Sequence, residues 1–199
     1  MASKVYTFHI TYEGLENVIW RNVKLSSTSR LDQLGYMVLA AFDTRANHLF
    51  SFTHRDTCYV IPDDDGLSKG TDMATVKLAD MDFKIGDRIR MVYDFGIIQS
   101  FWLDVTEIED MAQGKGKRFP YIMEGSGQGI IDDLSCTELS ELVKQINEKG
   151  YTDKEVYYQN RSTPWDYRDF NIARMNKLLK AEIRLIEKGY STFWNRTNG

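Results

Sequence analysis

The chain has 199 residues and a mass of 23.1 kDa, with 42% hydrophobic and 13% aromatic residues, which suits one domain with a sizeable core and excludes global disorder. A formal net charge of −4 removes any whole-chain case for nucleic-acid binding and leaves only a local patch to make it. Cys58 and Cys136 lie too far apart to form a metal-binding pair, and no window approaches the ~20 apolar residues of a membrane helix. With no apolar leader segment after Met1, the expectation is a cytoplasmic protein with reduced thiols and no membrane partner.

Val5 to Tyr12 alternates in the manner of a strand, Glu13-Gly14 marks a turn, and Val18 to Leu25 returns as its hairpin partner. Thr28 or Ser29 can then cap a helix whose apolar positions are Leu31, Leu34, Val38, Leu39 and Phe42. Gly35 interrupts that helix at a cost of up to about 1 kcal/mol relative to alanine, so either close packing or a lost side chain explains it. His48 to Phe52 and Cys58 to Ile61 read as further strands, followed by the acidic turn Pro62 to Gly66. Counted as an EF-hand loop, that turn puts Ile61 at the first ligand position and Asp72 at the last, which excludes calcium binding of that type. Thr75 to Leu78 is a short strand or connection.

The strongest β signal runs from Arg88 to Val105. Ile89, Met91 and Tyr93 alternate with polar or smaller residues, Asp94-Phe95-Gly96 breaks the run, and Ile97, Ile98, Phe101, Trp102, Leu103 and Val105 resume it. This predicts a central hairpin in which Gly96 takes a positive φ and the Asp94 side chain accepts from backbone amides. Gly125 to Gly129 is the most glycine-dense segment, but Ile130 occupies the place of a dinucleotide fingerprint's third glycine and no P-loop ending follows, so it reads as a flexible turn.

The last third turns helical. Thr137 can cap a helix with Leu139, Leu142, Val143 and Ile146 inward, ending near Gly150. Tyr157, Tyr158, Trp165, Tyr167 and Phe170 form an aromatic link, and Asp169 can cap a long helix reaching about Lys188. Ile172, Met175, Leu179, Ile183 and Ile186 share one face of it, and Arg174, Lys177, Lys180, Arg184 and Lys188 share another. Five cations on one stripe can track phosphates; the alternative is a solvated face diluted by Glu182 and Glu187.

Catalytic motifs are scarce. The histidines are His9, His48 and His54, with no Cys-x-x-Cys, His-Glu-x-x-His or Gly-x-Ser-x-Gly. Asp94-Phe95-Gly96 matches the magnesium triplet of kinases without the other kinase segments. One constellation is left, His48, Asp94, Asp132 and Asp133, which could hold a divalent cation or exchange protons if the side chains converge, and otherwise serves turns and caps.

Taken in order, Tyr6-x-Phe8-x-Ile10, Ile19-Trp20-Arg21, the helix from Leu31, His48-Leu49-Phe50-Ser51-Phe52, Tyr93-Asp94-Phe95-Gly96, Pro120 with Glu124 to Gly127, Asp169-Phe170 and Asn176-Lys177-Leu178 resemble the plasmid pRiA4b ORF-3-like proteins. The resemblance implies an α+β domain with a strongly curved sheet packed on helices, carried by plasmids and transposon-like elements, with no established activity. Where the family has a second aspartate, a tryptophan and a histidine after its Asp-Phe-Gly, this chain has Ile97, Gln99 and Phe101. Its Leu-His on the first helix is Leu34-Gly35, and its Pro-Pro-Glu-Asp is Ile130 to Asp133.

The expectations are therefore an α+β fold, with a curved, mostly antiparallel sheet packed against helices and a helical C-terminal third. Residues 1–150 would form the α+β domain, and 151–199 an aromatic link and helix packed on it. The function expected is a non-enzymatic interaction module of a mobile element, binding a protein or nucleic-acid partner through the C-terminal helix, with its cationic stripe, and the aromatic link. The alternative is a divalent-metal-dependent enzyme, hydrolytic in type, with a degenerate His/Asp site; no other cofactor is expected.

Overall fold

In the computed structural model, which describes residues 3–62, 69–111, 119–152 and 164–195, the alternating N-terminal segments form β1 (Lys4–Tyr12) and β2 (Trp20–Ser26). Helix α1 (Leu31–Ala41) follows, then β3 (Phe50–His54), β4 (Thr57–Val60) and the two-residue β5 (Thr71–Asp72). Two short 3-10 turns, Met73–Thr75 and Leu78–Met81, occupy the region read as a strand or connection. The central hairpin is β6 (Arg88–Tyr93) and β7 (Gln99–Asp110); β8 (Tyr121–Ser126), α2 (Cys136–Lys149) and α3 (Ile172–Asn195) complete the fold. No helix among the described residues is long and apolar enough to cross a membrane.

The α+β class holds, but the strongly curved sheet does not. The eight strands form one open ladder in the order β5-β4-β3-β6-β7-β1-β2-β8, and β4 pairs with β5 in parallel, so the sheet is mixed. Its edge strands, the two-residue β5 and β8, do not pair with each other, so the ladder stays open. At the other edge, the Asn176 side chain of α3 accepts from Ile122 N and donates to Ile122 O, both at 2.8 Å, and fills the place of a further strand.

The β6–β7 ribbon does take the middle of the sheet, with Ile89, Met91, Tyr93, Phe101 and Leu103 all fully buried. Its turn differs from expectation. The positive φ values belong to Asp94 (57°) and Ile98 (65°) rather than Gly96, and Ile98 is exposed in the turn instead of opening β7. Asp94 does accept from Gly96 N through Oδ1, at 3.0 Å, and Ile98 N closes the loop onto Asp94 O.

Helix α1 is buried on most of its surface because it lies between the sheet and α3. Gly35 makes that possible: a Cβ there would stand 2.1 Å from Phe50 Cε2. Close packing is therefore the reason for the helix glycine. Capping shifts by a few residues from the expected positions. Arg30 precedes α1 and its N–H donates to Gln33 Oε1, Ser135 and Glu138 cap α2 reciprocally, and Asn171 Oδ1 accepts from Arg174 N at the start of α3. Helix α2 ends at Gly150 with φ 85°, as read from the sequence. The glycine-dense segment is a packing device: Cβ atoms at Gly127 and Gly129 would meet Val18 O at 2.3 Å and Phe42 O at 2.0 Å. Of the aromatic link, Trp165 is buried with Nε1 donating to Gly129 O at 3.0 Å, while Tyr157 and Tyr158 lie outside the described residues, as does most of the acidic turn Pro62 to Gly66.

Candidate metal centre

Strands β3 and β6 are antiparallel neighbours with Phe50 opposite Tyr93, so the residue two before β3 and the residue just after β6 emerge at the same end of the sheet. Those residues are His48 and Asp94, and Asp94 N donates to Leu49 O at 3.1 Å to fix the approach. The third participant comes from the turn before α2. That turn is fastened by Ile130 N donating to Phe42 O and by Arg45 N donating to Asp132 Oδ2, which brings Asp133 alongside.

The result is a cluster in which one ligand atom each of His48, Asp94 and Asp133 lies within 4.8 Å of the others. His48 Nε2 is 3.7 Å from Asp94 Oδ2 and 4.0 Å from Asp133 Oδ1, is shielded from solvent, and has no hydrogen-bond partner. Ligand atoms at 2.0–2.2 Å from one ion stand roughly 3.4 Å apart in a tetrahedral set, so small side-chain rotations would bring all three to a common centre. Asp94 and Asp133 both sit at positive φ, a region aspartate tolerates better than most residues.

Asp132, the fourth candidate, points elsewhere. It is buried and accepts from Tyr93 OH at 2.8 Å and from Arg45 N at 3.1 Å, so it braces the loop behind the cluster. The Tyr93 hydroxyl oxygen also accepts from Asn47 N at 3.3 Å, and the ring packs edge-on against the His48 ring at 5.7 Å. Burial pushes the Tyr93 phenol well above its usual range, with Asp132 adding to the shift, so this bridge keeps its proton at any ordinary pH. On the far side, buried Tyr190 of α3 donates to His48 O.

Sequence reasoning missed Arg45, whose Nη1 lies 3.0 Å from Asp133 Oδ2 on the side away from His48. It also missed a second His–Asp contact: buried His54 Nε2 lies 3.4 Å from Asp87 Oδ2, which Arg55 also reaches. Neither pairing follows a recognisable spacing. His9 bonds Asn22 and packs beside Trp20. A cavity of about 440 Å³ lined by Arg30, Asp32, Tyr36, Asp72 and Met73 involves none of the cluster residues.

The five cations of α3 do share its outward side. Arg174, Lys177, Arg184 and Lys188 are exposed and Lys180 is half-buried. Buried Leu179 and Tyr190, with half-buried Ile172, Met175, Ile183 and Ile186, face the core behind them.

Comparison with known proteins places this architecture. A solved protein of unknown function from Methanosarcina mazei Go1, MM3350, superposes with a TM-score of 0.72 at 19% identity over 87% of this chain and 97% of its own, which shows the shared fold. An uncharacterized protein of Sinorhizobium fredii (strain NBRC 101917 / NGR234), y4hQ, is 27% identical over 135 residues, 67% of this chain and 68% of its own. The profile of the plasmid pRiA4b ORF-3-like proteins matches residues 4–174, and with that match over most of its length the chain belongs to this family.

Proposed function

We propose that the protein binds one divalent transition-metal cation through His48 Nε2, Asp94 Oδ2 and Asp133 Oδ1. The observation that carries this reading is a solvent-shielded, unpartnered imidazole nitrogen facing two carboxylate oxygens at 3.7 and 4.0 Å. A cation there would relieve the repulsion between the two carboxylates and give the imidazole nitrogen a partner. One nitrogen and two oxygens suit manganese, iron or zinc better than calcium or magnesium, which take oxygen ligands. Three protein ligands leave coordination positions for water, and hydrolysis by that water is the enzymatic form of the reading.

Calorimetric titration of the metal-free protein with manganese and zinc tests it. Saturable one-to-one binding that disappears in Asp94→Asn, with the fold retained by circular dichroism, supports the site; binding unchanged in that variant removes it.

A second reading, a non-enzymatic interaction module working through α3, is favoured by the exposed cations of that helix. It needs no metal, and both sites can coexist on one chain.

A further inference from the structure

We propose that the outward face of α3 lies along the phosphate backbone of double-stranded DNA and binds it without regard to sequence. This rests on the interaction reading and names its partner. At 100° per residue, Arg174, Lys177, Lys180, Arg184 and Lys188 fall within an arc of about 120°, while Glu182 and Glu187 project outside it. Ala173 and Ala181 are the small residues in the same arc, so nothing bulky stands between the charges and a flat partner.

The arginines described elsewhere on the protein differ from Arg174 and Arg184 of this face. Among the described residues, Arg30, Arg45, Arg55, Arg88, Arg90 and Arg168 all have carboxylate partners, and buried Arg21 donates to backbone carbonyls. Arg174, Lys177, Arg184 and Lys188 have no ion-pair partner among the described residues. With the other described arginines engaged, Arg174, Lys177, Arg184 and Lys188 stay open to an external anion on a chain of net charge −4.

The spacing selects the kind of anion. Arg174 to Lys188 spans about 21 Å at 1.5 Å per residue, and a straight rod of that length laid along a duplex passes about a dozen phosphates of the two strands. Among the described side chains, the arc offers no asparagine or glutamine to read base edges, so the contact discriminates charge and shape, not sequence. An acidic polypeptide would meet the same charges but lacks a rigid, regular array to match a straight helix.

Fluorescence anisotropy with the full chain and two unrelated duplexes tests this. Equal binding to both is expected, with log K falling against log salt at a slope of about −3 to −4 for four exposed cations. Lys177→Gln/Arg184→Gln/Lys188→Gln, all exposed positions whose loss leaves the core intact, should weaken binding about tenfold or more near 50 mM salt and flatten the slope to about −1. Absence of salt-sensitive DNA binding, or equal binding by the triple variant, overturns the proposal. Tighter binding of polyglutamate than of DNA, lost in the same variant, overturns DNA as the partner while leaving the interaction reading standing; binding of neither polymer removes both.

Discussion

Replacing Gly35 by alanine should destabilise the protein, although alanine is the better helix former by about 1 kcal/mol. The added methyl would lie 2.1 Å from Phe50 Cε2 and 2.4 Å from Cζ, whereas carbon atoms in contact sit about 3.5–4.0 Å apart, so the ring or the helix must move by more than about 1 Å. The ring has little room, being packed edge-on against Tyr36, Phe52 and Tyr190. Overpacking costs about 1–3 kcal/mol, and an overlap this deep belongs in the upper part of that range, about 2–3 kcal/mol; with the helical gain of about 1 kcal/mol subtracted, a net loss of about 1–2 kcal/mol remains. For a chain of this size that is a fall in melting temperature of about 2–8 °C by calorimetry. Gly189 is the control: it lies in α3 with nothing within 4 Å of a built Cβ, so Gly189→Ala should stabilise by up to about 1 kcal/mol. Phe50→Leu should recover part of the loss in the Gly35→Ala background, beyond the sum of the single effects. A Gly35→Ala protein that melts higher than the parent, as Gly189→Ala should, would refute the packing explanation of this glycine.

Zinc or manganese at a hundredfold excess over its dissociation constant should add about 2.7 kcal/mol of stability, visible as a raised melting temperature, and Asp94→Asn should abolish the increment. Asn176→Ala removes both bonds to Ile122 at the edge of β8 and should cost about 1–3 kcal/mol in denaturant unfolding, with faster amide exchange at Ile122; unchanged exchange there would separate α3 from the sheet edge. Burial lowers the pKa of His54 below 6.5, with Arg55 adding to the shift and Asp87 opposing it, so the unfolded chain binds the proton more readily between the folded pKa and 6.5. Stability should therefore decline as pH falls through that window and level off below the folded pKa. The Asp87 carboxyl is held below 3.8 in the folded state, chiefly by the Lys84 amide and Arg55 against the cost of its burial, so it contributes nothing to that slope. Urea unfolding of His54→Phe across the same range should lose this part of the pH dependence.

What the sequence made legible was what periodicity encodes. Alternation located β1, β2 and the β6–β7 ribbon, and helical spacing located α1, α2 and the apolar face of α3. The open sheet was not legible, because the end of a ladder depends on which strands find no neighbour, and a two-residue strand such as β5 leaves no pattern. Caps were displaced where several polar residues competed. Ser135 won over Thr137 because Glu138 stands three residues after it and can return the bond, and Asn171 won over Asp169 because it sits at the turn from which Arg174 N points back.

The candidate centre was half legible for a similar reason. His48 and Asp94 emerge together because β3 and β6 are paired; the β signal places each residue at a strand end without telling that those two strands are neighbours. Asp132 and Asp133 are adjacent in sequence, and nothing in their identity tells which turns inward. The structure separates them through backbone conformation: Asp133 takes φ 67°, which directs it outward to His48 and Arg45, while Asp132 is drawn to the buried Tyr93 hydroxyl. The positions that depart from the family pattern have taken up packing work. Phe101 packs edge-on against Phe42 with ring centroids 4.8 Å apart, and Gly35 admits the Phe50 ring. Fully buried Gln99 accepts from Tyr12 OH and donates to Leu134 O at 2.7 Å. That last bridge ties β7 to the residue following Asp133, so the loss of Gln99's amide should loosen the candidate centre from behind. Gln99→Leu, which keeps the volume but leaves Tyr12 OH and Leu134 O without their partner, should reduce stability by about 1–3 kcal/mol and weaken metal binding together. Weaker metal binding at unchanged stability would mean that Gln99 acts on the centre by some route other than this brace.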